Sequence, residues 1–144
     1  MIEWPPRSRL LTLFTFAFGL TFFFWIGIED TTLLPAMILG TSLSAIGLAH
    51  FLMRRFGGAP LPARTGMLLL SASGLLGGVA APLVSIILMA LKVSLHSHTY
   101  PDYPPEAVVS VIARAPVWAL AGLSFGAALA LLAYTRRRPV GSSP

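Results

Sequence analysis

The run Thr65 to Leu91, TGMLLLSASGLLGGVAAPLVSIILMAL, decides the fold, because it carries no charged residue over more length than a membrane crossing needs. About 20 mostly apolar residues in a helix cross a hydrocarbon layer of roughly 30 Å. Within the run, Ser71, Gly74, Gly78, Ala81 and Ser85 recur at helical spacing as a seam of small residues. Lipid gives helices no hydrophobic reason to associate, so such seams mark the side on which two backbones approach. Pro82 removes the hydrogen bond that the Gly78 carbonyl would accept, which predicts a kink and a possible hinge point for a transporter.

Working outward, three more windows of this kind fill most of the chain. The expected spans are about 10–28, 33–53, 65–91 and 116–134, a four-helix transmembrane bundle in one integral membrane domain over 1–144. The composition agrees: of 144 residues, 56% are hydrophobic and only 10% charged, and the mean hydropathy is +0.80. These values lie outside the usual range of soluble domains. The net charge of +5 comes from basic residues at the ends of apolar runs, which points to lipid headgroups and away from nucleic acid. Absence of cysteine excludes disulfides, thiolate catalysis and cysteine metal sites. Nine arginines against one lysine, with abundant Ala, Gly and Leu, match a GC-rich bacterial composition.

The first span is crowded with Phe14, Phe16, Phe18, Phe22, Phe23, Phe24 and Trp25 on every side. Bulk all round predicts a lipid-facing edge helix, with Trp25 at the interface. Its apolar run exceeds that of a signal peptide, and GIED offers no small-x-small cleavage site, so it reads as a retained anchor. Glu29 and Asp30 form an acidic turn, and Thr31 or Thr32 caps the second span with Pro35 in its first turn. Gly40, Ser44 and Gly47 form a packing face in that span, which Gly57 and Gly58 end. After the third span, Pro105 opens a short amphipathic helix over about 105–115, with Glu106, Ser110 and Arg114 on its polar side and Val108, Val111, Ile112 and Ala115 on the other. Pro116 marks the bend into the fourth span, whose seam of Ala115, Ala119, Gly122, Gly126 and Ala130 contains a GxxxG. Spans two to four therefore make the expected core.

Basic residues cluster before the first span, between the second and third (Arg54, Arg55, Arg64), and after the fourth, where Arg136, Arg137 and Arg138 meet anionic headgroups. The positive-inside rule places both termini in the cytoplasm and the protein in the cell (inner or plasma) membrane, with Glu29, Asp30 and the histidine loop outward.

Chemistry is concentrated in residues 91–116. His96 and His98 with Asp102 make an HxH plus carboxylate; in an extended loop alternate residues point the same way, so the three side chains suit a divalent ion such as zinc or copper. The same histidines suit pH sensing, and Tyr100 and Tyr103 read as interface anchors. His50, near the inner end of the second span, suits a haem ligand or proton relay, although no second histidine shares its side. There is no HExxH, P-loop, GxSxG or pair of carboxylates within a span, so no catalytic residues and no enzyme are expected. Ser71, Ser73 and Ser85 read as interhelical hydrogen bonders. The leading expectation is a non-enzymatic accessory or scaffolding subunit, partnered by the bilayer and by other membrane subunits or copies of itself. A small oligomeric transporter or channel, and an outward metal-binding or sensing protein, are the alternatives.

Overall fold

The computed structural model describes residues 2–3, 8–29, 31–96 and 103–135. Four of its helices are long and apolar enough to cross a membrane: α1 (Arg9–Ile26), α2 (Leu33–Phe56), α3 (Ala63–His96) and, after the short α4 (Pro105–Ala113), α5 (Ala115–Thr135). Two short strands, β1 (Ile2–Glu3) and β2 (Pro60–Leu61), pair antiparallel with Ile2 opposite Leu61 and Glu3 opposite Pro60. No periodicity in the sequence announces this pairing. It brings the start of the chain to the connection between α2 and α3.

The helix ends follow from local chemistry. Ser8 caps α1, its hydroxyl oxygen accepting from the Leu10 amide at 3.2 Å. Thr32 occupies the N-cap position of α2, but its side chain makes no capping hydrogen bond. At the far end of α2 the Gly57 amide donates to Met53, and Gly58 adopts φ +77°, a left-handed conformation that suits a residue without a side chain. Pro105 is the first residue of α4, where its missing N–H costs no bond, with Glu106 in the first turn.

α3 is the spine. It packs most extensively on α5, next on α2, while α1 lies along α2. The α3–α5 seam is a contact of backbones. A Cβ added at Gly74 would overlap the Gly122 carbonyl oxygen and stand 2.8 Å from Gly126 Cα. At Gly78 it would overlap the Trp118 carbonyl oxygen and stand 2.9 Å from the carbonyl carbon. Gly122 meets Gly74 and Gly78 in return, and Gly126 meets Leu70 and Gly74. The buried residues of α5 are Gly126 and Ala130, on this seam, so the close approach is what joins it to α3.

The face of α2 divides. Gly40 sits against Ser85, whose amide nitrogen would be 2.6 Å from an added Cβ. Gly47 has nothing within 4 Å and faces open space, so backbone-close approach to α3 is found at Gly40 and not at Gly47. Ser44 and Ser85 do not bond across helices: Ser44 Oγ donates to the Gly40 carbonyl and Ser85 Oγ to Ala81, each at 2.8 Å. In a buried seam the nearest acceptor is the carbonyl one turn earlier in the same helix.

α3 runs unbroken through buried Pro82 and continues to His96, so Lys92 and His96 are helical and not part of a loop. Pro116 is the second residue of α5. The turn between α4 and α5 falls on Arg114, whose carbonyl accepts from Val117 and Trp118, and Ala115 is already helical. α4 is not cleanly two-sided. Val111 is buried, whereas Ile112, expected on the same side, is 54% exposed together with Val109.

Candidate functional site

The most unusual side chain is Lys92. It is fully buried, and its ammonium nitrogen lies 4.7 Å from the centroid of the Trp25 ring, within cation–π range. Burial of a lysine is rare because its charge must leave water. Trp25, expected at the membrane interface, is 6% exposed and belongs to a cluster with Ala36, Leu39, Leu88, Met89, Tyr103 and Val111. Phe18 and Phe22 pack against that cluster, and Phe22 approaches Trp25 with ring centroids 6.1 Å apart. The aromatic crowd of α1 therefore divides into an inner row at Phe18, Phe22 and Trp25 and an outer row at Phe14, Phe16, Phe23 and Phe24. Trp25 Nε1 is buried with no hydrogen-bond partner among the described residues. Tyr103, expected as an interface anchor, is also buried here.

The end expected for the third span, at about residue 91, leaves Lys92 outside the helix. The missed signal is that Ser85, Leu88, Met89 and Lys92 continue the helical face begun by Gly78 and Ala81, and all are buried. A charge on that register belongs to the interior of the protein.

At the opposite end of the membrane-spanning region, His50 Nε2 lies 2.9 Å from Thr15 Oγ1. The Thr15 hydroxyl also donates to the Leu11 carbonyl at 2.8 Å. A hydroxyl has a single hydrogen, so with that hydrogen on Leu11 the imidazole donates from Nε2. His50 thus ties α2 to α1. Beside it is a notch of about 40 Å³ lined by Ser8, Thr12 and Arg54 among others.

A larger space is an apolar groove of about 510 Å³ with α3 as its floor and α2 and α5 as its rims. Gly74, Gly77 and Gly78 line the floor, with Leu48 and Leu52 on one rim and Trp118 and Phe125 on the other. Here the packing residues open two helices apart on the same side of α3 while holding each of them to it.

His96 is the last residue of α3, so the alternation of an extended loop does not apply to it. His98 and Asp102, proposed with it as metal ligands, lie outside the described residues, as do Asp30, Tyr100 and Arg136, Arg137 and Arg138. Among the described residues no group of three or more His, Cys, Asp or Glu side chains gathers as a metal site would require. No protein-family model, curated protein or solved structure matches this chain.

Proposed function

We propose that this chain is a multi-pass protein of the cell (inner or plasma) membrane, both termini cytoplasmic, acting as a non-enzymatic accessory or scaffolding subunit or as a homo-oligomer. The observation that carries this reading is the α3–α5 seam, in which Gly74, Gly78, Gly122 and Gly126 bring two backbones into contact. Such a joint holds a stiff body in lipid and leaves the bulky side chains on the outer surfaces, where another subunit's helices can pack. Edge helix α1 contributes Phe14, Phe16, Phe23 and Phe24 to those surfaces.

The orientation draws support from the β1–β2 pairing. It sets the N-terminal segment beside the connection flanked by Arg54, Arg55 and Arg64, so one end of the protein collects these charges. With the cysteine-free chain as background, an impermeant maleimide added to intact cells should label Glu29→Cys and spare Gly57→Cys; the reverse pattern inverts the topology.

Native mass spectrometry after gentle extraction from the source membrane tests the role. Foreign subunits at fixed stoichiometry, or a defined number of copies, are expected. A solitary chain that by itself moves a substrate across reconstituted vesicles would end the scaffolding reading.

A further inference from the structure

The groove on α3 has a length and a lining that suit a lipid chain. On α2 it extends from Thr41 to Leu52, on α3 from Leu70 to Ala81, and on α5 from Trp118 to Leu129. Each stretch rises about 17 Å along its helix, a little over half of the roughly 30 Å hydrocarbon thickness, so the groove is about one leaflet long. Its lining is almost wholly apolar side chains and glycine backbone, a surface suited to a polymethylene chain lying along it.

Two exposed arginines lie just beyond one end of the groove, outside its lining. Leu48, Leu52 and Arg55 follow one another at helical spacing along α2, so the groove face runs directly onto an exposed arginine. Arg55 lies over the Phe56 ring at 5.5 Å, at the last turn of α2. Exposed Arg64 stands in the first turn of α3 at the same end. The opposite end of the groove is bounded by Thr41, Ala81 and Trp118.

We propose that this groove is a binding site for an anionic phospholipid, one acyl chain lying on the glycine floor and the phosphate held at Arg55 and Arg64. The apolar channel selects a chain of about one leaflet's length. The two guanidinium groups select negative charge, since arginine pairs with phosphate through paired N–H donors. The site is independent of the scaffolding role and stands whether or not a partner subunit is found.

Trp118 on the rim is a built-in reporter. The full-length chain is reconstituted in phosphatidylcholine vesicles containing a minor fraction of either phosphatidylglycerol or phosphatidylcholine with brominated acyl chains. The Trp118 signal is the fluorescence lost in Trp118→Phe. Brominated phosphatidylglycerol is expected to quench it more strongly than brominated phosphatidylcholine at the same fraction. Gly77→Leu should abolish the preference by filling the groove. An added Cβ there meets only Leu48 Cδ2, at 3.5 Å, an ordinary contact, so the first carbon of the new side chain displaces no backbone. Arg55→Gln, at the surface, should weaken the apparent affinity for phosphatidylglycerol about fivefold, the weight of one basic residue at a charged membrane surface. Equal quenching by the two lipids overturns the proposal, because any chain then visits the groove. Absence of quenching by either also overturns it, because no lipid chain then reaches the groove.

Discussion

Around Gly74 and Gly78, α3 meets its neighbour backbone to backbone, whereas around Met89 and Lys92 it is enclosed by large side chains from α1, α2, α4 and the segment before α4. The two halves solve the same problem differently. Close approach of glycines multiplies weak contacts between main chains and tolerates no added atom. Side-chain enclosure instead depends on volume and ring geometry, and it accepts a similar shape in place of the original. What differs is therefore the kind of substitution that each half permits.

The largest effect is expected at the seam. Gly78→Leu or Gly122→Leu should cost about 3 kcal/mol or more, because the added side chain meets backbone atoms that cannot yield without separating α3 from α5. Unfolding in mixed micelles, read by circular dichroism, measures it; a cost no greater than that of a lipid-facing α1 substitution such as Phe16→Leu would show that the seam does not hold the helices together.

Next comes the enclosed half. Trp25→Ala should cost about 3 kcal/mol through the cavity it leaves, while Trp25→Phe should cost under about 1.5 kcal/mol. Phe keeps an aromatic face for Lys92 and removes an N–H that is buried with no partner among the described residues. If the two variants unfold together, ring volume and face are not what that half depends on.

The smallest effect sharpens the boundary between contact and open space within α2. Gly47→Ala should be neutral or stabilising by about 0.5 kcal/mol, since a helical Gly is the less favourable residue and nothing lies within 4 Å of the added carbon. Gly40→Ala should destabilise, because Ser85 occupies that position. Equal behaviour of the two in the same assay would erase the distinction.

Much of this was legible beforehand. Apolar runs bounded by Arg, Pro and Gly announced the long helices, and Pro104-Pro105-Glu106 announced where α4 begins. The halves of the α2 face were not separable, since Gly40 and Gly47 sit on the same helical stripe and only the path of α3 decides which of them is covered. Trp25 reads equally well as an interface residue until Lys92 is seen across from it. The expected metal site placed His96, His98 and Asp102 on an extended loop; His96 is instead the last residue of α3, and the other two lie outside the described residues.

What the sequence determined by itself is the number and apolar character of the long helices and about where each begins, because helix formation and transfer into lipid are set by residues close together in the chain. Only the tertiary structure decided which glycines are covered, that Lys92 and Trp25 face one another, and that α2 and α5 part above α3 to leave a groove. In lipid nearly every face of a helix is apolar, so the pattern that would mark the inward side of a soluble helix is absent. The choice among faces passes to the fit of shapes between segments distant in sequence.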